Sequence, residues 1–327
     1  MTQMTENSTN LAVSLRRLDA LESLDDDQIE TLAAVARSRR FAAGETIYEE
    51  GSEGTDFLFI QSGTVDAFRE TPLGSQRVAT LDEGELCGEI SLLDGKPRST
   101  SIIGVQPGVI LAFDATAIAH LTTEDRKIEV AFLQIFCRSL ARKTRQANLI
   151  MTEIMAPDAI NRRQASGTLG ESLHLDEETK RTLLRQEAHV GTDLQELATF
   201  LEAQRFSAGD PIFVEGESGD TLYIIADGQV RISRHIPGLG EEAIAILDPG
   251  EVFGEMAWID DRPRSADAIA HTGGCTVLGI TGRQLDGTLS TKDETHTRFL
   301  KLICQILSRR IRRMNDQLVA YRTLAFF

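Results

Sequence analysis

Apolar positions follow two alternating periods, and the alternation is written twice along the chain. From Leu11 to about Ala36 the spacing is helical: Leu15, Leu18 and Leu21 keep one stripe. Ser23 with Asp25 to Asp27 then supplies caps and first-turn acids for a second helix carrying Ile29, Leu32, Ala33 and Val35. From Phe41 the pattern changes to short runs separated by glycine turns. Phe57 to Ile60 reads as a buried strand, Gln61-Ser62-Gly63 as a turn, Thr64 to Phe68 as an alternating strand and Thr71-Pro72-Leu73-Gly74 as a hairpin turn. Gln76 to Leu81 pairs back, and Thr100 to Val105 and Val109 to Phe113 close the set. Many short strands around one inserted helix predict a jelly-roll-like barrel, and helices on both sides make the class α+β. After Asp114 the helical spacing returns, as a short helix from Ala115 to Leu121 and a long one from Asp125 to about Ile154.

The second half repeats the first. Phe206-Ser207-Ala208-Gly209 stands against Phe41-Ala42-Ala43-Gly44, and Asp227-Gly228-Gln229-Val230 against Ser62-Gly63-Thr64-Val65, at an offset of 165 residues. The offset becomes 166 by Gly250, because the hairpin at Pro237-Gly238-Leu239-Gly240 is one residue longer, and a hairpin tip is where an insertion disturbs least. Phe136-Cys137 corresponds to Ile303-Cys304, Arg142 to Arg309 and Asn148 to Asn315. The predicted organisation is a first domain over 1–155 (barrel about 41–114, long helix about 125–154), a linker over 156–175, and a second domain over 176–327 (barrel about 206–281, long helix about 293–321).

In the second domain Asp176 to Val190 reads as a helix, and Asp193 to Leu201 repeats the capped helix ahead of the barrel. Each long helix carries an apolar stripe: Ile128, Phe132, Ile135, Phe136, Leu140, Ala147, Ile150 and Ile154 in the first, Phe299, Ile303, Ile306, Leu307, Ile311, Met314 and Leu318 in the second. A stripe can pack on its own barrel or extend past it to a partner helix, which leaves a homo-oligomer through the long helices open. The tail from Val319 to Phe327 places aromatics where they could cap a bound ring, with core contact or a frayed end as the simpler alternative.

The 327 residues hold 41% hydrophobic and 26% charged residues, the balance of a globular chain with room for two full cores. No apolar run is long enough to span a bilayer and the polar start lacks a secretory pattern, so a cytoplasmic protein without a membrane partner is expected. A formal charge of −16 argues against nucleic acid as a partner. The basic stripes Arg138, Arg142, Lys143, Arg145 and Arg309, Arg310, Arg312, Arg313 read first as solvated helix faces. Four cysteines and six histidines show neither paired nor clustered spacing, so no metal or disulfide framework is predicted.

The chemistry is concentrated in a stretch that occurs twice. Gly84 to Ser101 and Gly250 to Asp267 share Gly-Glu, then a mostly apolar run, then Pro-Arg-Ser, with the arginine nine positions after the glutamate. A carboxylate accepts from paired hydroxyls and a guanidinium donates two parallel bonds to a phosphate, so the pair suits a sugar phosphate. One Gly-Glu and one Pro-Arg could be a mere turn and a surface charge; two copies in matching context are harder to read so. A short helix between two turns would put the apolar residues inward and let the arginine turn back to the glutamate.

Both stretches resemble the phosphate-binding cassette of the cyclic-nucleotide-binding domain family, and the tandem arrangement is similar to the two-domain part of kinase regulatory subunits. The resemblance implies that Glu89 and Glu255 take a ribose 2′-hydroxyl and that Arg98 and Arg264 take the cyclic phosphate. It implies support from Ser99 and Ser265, and a ligand-binding set that also includes Gly88, Ile90, Ser91, Thr100, Gly254, Met256, Ala257 and Ala266. Cys87 stands where the second copy has the more usual aromatic Phe253, and reads as a packing change pointing away from the polar groups.

The expected ligand is cAMP, or else cGMP. The expected function is a non-enzymatic receptor that passes occupancy to a protein effector through its long helices, since glutamate and arginine make no acid–base pair near neutral pH. The alternative is an interaction scaffold whose cassettes are degenerate or bind another anionic ligand. Arg162-Arg163-Gln164-Ala165-Ser166 weakly resembles a kinase pseudosubstrate, but a solvated linker is the simpler reading.

Overall fold

The computed structural model describes residues 11–16, 18, 21–71, 74–155, 167–168, 170–186, 198–236, 240–288 and 294–324. The chain divides into two compact units, one of residues 1–147 together with 304–327 and one of residues 148–303. The basic segment 162–166, the start of the repeated capped helix at 193–197, the hairpin tip at 237–239 and the last three residues lie outside the described set.

In the first unit, α1 (Asp26–Val35) opens with a reciprocal cap: Gln28 N–H donates to Asp25 at 3.0 Å, and the Gln28 side chain accepts from Asp25 N–H at 3.1 Å. Strands β1 (Arg37–Phe41), β2 (Thr46–Tyr48), β3 (Asp56–Arg69), β4 (Gln76–Leu81), β5 (Leu86–Cys87) and β6 (Ser101–Asp114) form an antiparallel sheet in the order β1-β6-β3-β4. β2 pairs with β6, and β5 with β3. Between β5 and β6 sits α2 (Glu89–Asp94), followed after the sheet by α3 (Ala115–Glu124) and α4 (Arg126–Met155).

The strands predicted at 57–60 and 64–68 are one strand, β3, and those at 100–105 and 109–113 are one strand, β6. The residues read as a turn are absorbed by register shifts at Ile60/Ser62, Ser62/Thr64 and Thr64/Val65. Gly63 permits this, with φ of 88° and no room for a Cβ, which would lie 2.7 Å from the Gln106 carbonyl.

Alternation along β3 divides the core. Leu58 and Ile60 point into the barrel with Phe41, Val65, Leu81, Ile102 and Ile110. Phe57 faces the other way, its ring stacked on Phe113 at 5.3 Å and edge-on to Phe132 and Phe136 of α4 at 5.5 and 5.2 Å. Burying each such ring contributes about 1.5–3 kcal/mol, so this face is what holds α4 on its own barrel. Further along α4, the Cys137 sulfur lies 3.1 Å from that of Cys304.

The second unit repeats the plan with β8 (Glu202–Phe206), β9 (Pro211–Phe213), β10 (Thr221–Ile236), β11 (Gly240–Leu247), β12 (Val252–Phe253) and β13 (Asp267–Thr281). α6 (Glu255–Asp260) is inserted before β13, and α7 (Gly282–Thr288) and α8 (Glu294–Leu324) follow it. One strand is additional: β7 (Glu171–Leu173), in a stretch that reads as connector, pairs with β8 and makes the order β11-β10-β13-β8-β7. α5 (Glu177–Gln186) falls within the predicted helix. Phe206, Ile225, Val230, Leu247, Phe253 and Val277 fill the interior. The fold is therefore α+β, two antiparallel barrels with flanking helices, and no described helix is long and apolar enough to cross a membrane.

Candidate functional site

The first cassette starts at a backbone kink that requires glycine. Gly88 has φ of 89°, and a Cβ there would lie 2.6 Å from Arg98 Nη1 and 2.9 Å from the Asp56 carbonyl. The kink opens α2 with Glu89 turned inward and fully buried. Burial of a lone carboxylate is costly, and the chain answers with Lys143 of α4: its ammonium forms an ion pair with Glu89 Oε1 and donates to the Leu86 carbonyl at 2.8 Å. Glu89 Oε2 is buried with no hydrogen-bond partner among the described residues.

Arg98 is 4% exposed and clamped on several sides. Its backbone N–H donates to the Ser52 carbonyl at 2.9 Å, and its own carbonyl accepts from Gly51 N–H at 2.9 Å. The guanidinium pairs with Asp56, donates to the Gly88 carbonyl at 3.1 Å and lies 4.4 Å from the centre of the Tyr48 ring. Gly54 makes the space, since a Cβ there would lie 2.4 Å from the guanidinium. Arg98 Nε has no hydrogen-bond partner among the described residues.

These groups wall one cavity, of about 550 Å³ including its open mouth. All seven residues predicted for the first cassette, Gly88, Glu89, Ile90, Ser91, Arg98, Ser99 and Thr100, line it. So do Tyr48, Lys143, Ile311 and Asn315, which sequence reasoning did not assign to the site. The expectation for Cys87 is corrected: its side chain lines the same cavity and meets the Tyr48 hydroxyl, and burial pushes its thiol up to about 12. Cysteine in place of phenylalanine leaves room at this wall beside Tyr48.

The stretch of α8 that belongs to the first unit closes one side. Arg312 pairs with Asp94 at the end of α2 and donates to the Pro97 carbonyl at 2.9 Å. Arg69 of β3 bridges Asp316, at 2.6 Å, and the Ser99 carbonyl, at 3.0 Å. The second half of the cassette, from Asp94 to Ser99, is thereby fastened to this helix.

In the second unit Gly254 takes φ of 78°, Glu255 is fully buried, and Arg264 donates to the Gly254 and Thr221 carbonyls at 2.8 and 2.9 Å. Arg264 lies 4.3 Å from the centre of the Phe213 ring, at the position Tyr48 holds in the first unit, and Gly219 leaves it space as Gly54 does for Arg98. Thr221 replaces Asp56, so two carbonyls hold this arginine without the carboxylate. Burial lowers its pKa, partly offset by the charges of Tyr223, Glu255, Asp220 and Glu217. Met256, Ala257 and Ala266 are buried, and the Ser265 hydroxyl meets the Met256 sulfur at 3.5 Å. Among the described residues no group of acidic, histidine and cysteine side chains is arranged to hold a metal.

The family model described as "Cyclic nucleotide-binding domain" matches residues 38–125 and 203–292, over half the chain. A cAMP-dependent protein kinase regulatory subunit of Mucor circinelloides f. lusitanicus is 26% identical over 307 residues, covering 94% of this chain and 58% of that protein. One from Candida albicans is 28% identical over 263 residues, covering 80% and 46%. The chain thus spans about half the length of the curated relatives it matches. Among solved structures, the regulatory domain of Toxoplasma gondii PKA crystallised with cAMP aligns at 19% identity and a TM-score of 0.33, covering 90% of this chain and 94% of that one. With its glutamate and arginine set twice on the same kinked cassette, the chain belongs to the cyclic nucleotide-binding domain family.

Proposed function

We propose that the protein is a non-enzymatic, cytosolic receptor for a cyclic purine mononucleotide, cAMP before cGMP, which passes occupancy to a protein effector through its long helices. One observation carries the reading: in the first unit two buried polar atoms, Glu89 Oε2 and Arg98 Nε, have no hydrogen-bond partner among the described residues, and their side chains line one cavity. Buried polar groups are normally satisfied, and a ribose hydroxyl and a cyclic phosphate are the partners these two would take. The kinase regulatory subunits among the relatives support cAMP as the ligand and a protein as the effector.

The ligand hydroxyl would donate to Glu89, whose other carboxylate oxygen is paired with Lys143. The phosphate would lie against Arg98, already oriented by Asp56 and the Gly88 carbonyl, so little ordering is left for the moment of binding. Because Arg312 and Arg69 tie the cassette to α8, a ligand that shifts the cassette alters those ties. It moves the equilibrium only by its difference in affinity for the two arrangements.

Calorimetry with cAMP and with cGMP tests the reading. Saturable heat, lost from the first site in Arg98→Ala and from the second in Arg264→Ala, is expected. Folded protein that gives no heat with either nucleotide at high concentration would overturn it.

A further inference from the structure

We infer that Cys137 and Cys304 are a redox pair, and that a hydroperoxide closes a disulfide between them which ties α4 to α8 beside the first site. The bond itself is independent of the nucleotide reading; its effect on ligand release rests on that reading.

All four cysteines are buried and free. Cys87 and Cys275 belong to the two barrel interiors. Cys137 and Cys304 meet each other instead. Their sulfurs stand 3.1 Å apart, so a bond of about 2.05 Å needs a further approach of only about 1 Å. The Cys304 thiol also donates toward α4, 3.5 Å from the Leu133 carbonyl one turn before Cys137. The repeat gives both residues the same place, after Phe136 in α4 and after Ile303 in α8. Alanine would fill a helix contact without chemistry; two facing thiols add a bond that can be made and broken.

Both side chains are at most 2% exposed, and burial, with Cys137 beside it, raises the Cys304 thiol well above its ordinary value. The pair is therefore slow to react at rest, and movement of α8 off α4 is what admits the oxidant. One sulfur, as thiolate, then attacks hydrogen peroxide and becomes a sulfenic acid, releasing hydroxide. The other sulfur attacks that sulfenic sulfur and gives up its proton as water leaves. Two thiols and one peroxide thus yield one disulfide and two waters, the peroxide taking both electrons. A dithiol reductant reverses the change by exchange.

The helices so joined are the two that wall the cavity from outside the barrel. About two turns beyond Cys137, α4 brings Lys143 to Glu89. About two turns beyond Cys304, α8 brings Ile311 to the cavity and Arg312 to Asp94. A covalent tie between them keeps these side chains at their present spacing and removes the motion that parts the walls. Nucleotide bound between the walls is then released more slowly.

The test uses the full chain, reduced, desalted and exposed to hydrogen peroxide at neutral pH, with its tryptic peptides mapped before and after dithiothreitol. The expected result is a peptide linking Cys137 to Cys304 from the folded protein, lost on reduction and absent from Cys137→Ala and Cys304→Ala. The urea midpoint of the first unit should rise above that of the reduced form, because closing a loop of 167 positions restricts the unfolded chain. Radiolabelled cAMP at the first site, with the second silenced by Arg264→Ala, should dissociate about tenfold more slowly from the oxidised form. Folded protein that yields no linked peptide, or yields it only in urea, overturns the redox pair. Linked protein that releases cAMP at the reduced protein's rate overturns the effect on release while the pair stands. If no cyclic nucleotide binds the reduced parent, the receptor reading falls and takes the effect on release with it, while the peptide map and the midpoint still decide the pair.

Discussion

The ammonium of Lys143 and the carboxylate of Glu89 form an ion pair inside the first unit, although the two residues stand 54 positions apart. Glu89 has no exposed side-chain surface and Lys143 only 13%, so neither charge can fall back on water. Deleting one partner leaves the other buried and uncompensated, which costs about 3–5 kcal/mol in comparable pairs. Lys143→Met is therefore expected to lower the urea midpoint of the first unit substantially. Adding Glu89→Gln, which removes the stranded charge, should regain part of the loss. A single variant as stable as the parent would show that the pair does not hold the cassette to α4.

Gly54 is chosen for space and not for backbone freedom. Its φ is not in the left-handed region, but a Cβ would lie 2.4 Å from Arg98 Nε and Nη2 and 2.6 Å from Cζ. Gly54→Ala should therefore leave the fold intact and push the guanidinium off its position. The expected loss of cyclic-nucleotide affinity at the first site is on the order of tenfold to a hundredfold, the worth of one hydrogen bond to a charged group. Gly88→Ala is the contrasting variant, because φ of 89° adds strain of about 1–2 kcal/mol to the same clash. Titration and thermal melting together separate them: Gly54→Ala should change binding alone, Gly88→Ala both.

The cassettes were legible because their groups are local: glutamate, proline, arginine and serine fall within a dozen residues, and the duplication repeats them. What supports them was not legible, because it arrives from other elements. Asp56 comes from the start of β3, Lys143 from α4 and Asn315 from α8, and no sequence spacing relates these to Glu89 or Arg98. A weaker signal did exist. Gly54 recurs as Gly219, and the aromatic Tyr48 as Phe213, at the same 165-residue offset. Barrel alternation was readable for the same local reason, but Gln61-Ser62-Gly63 reads as a turn when the strand instead shifts register through it.

Asp114 ends β6 and caps α3, its carboxylate accepting from Thr116 N–H at 2.9 Å and Ala117 N–H at 3.2 Å. Those bonds, Ala117's foremost, favour the charged form and hold the carboxyl below its ordinary value of 3.8. A carboxyl lowered on folding stabilises the fold above its unfolded pKa, and that contribution is lost as pH falls through the folded one. Asp114→Ala should thus melt below the parent near neutral pH, and the gap should narrow as pH falls below 3.8 and the parent's cap is protonated. A gap independent of pH would mean the cap acts through shape and not charge.

Trp258 is the chain's one tryptophan and lies within the second cassette helix. Its ring meets Phe299 of α8 edge-on at 5.7 Å, and Gly282 at the start of α7 lets it sit close, a Cβ there falling 2.4 Å from Trp258 Cδ1. The indole thus touches both helices that follow the barrel, so any movement of α6 against them changes its surroundings. Cyclic nucleotide at the second site is expected to shift its emission. Arg264→Ala should abolish the shift and Arg98→Ala should preserve it, because the probe senses its own cassette. Emission that changes equally in both variants would place the response elsewhere. Emission unchanged in the parent at saturating ligand would mean that occupancy of the second site leaves the α6–Phe299 contact as it is.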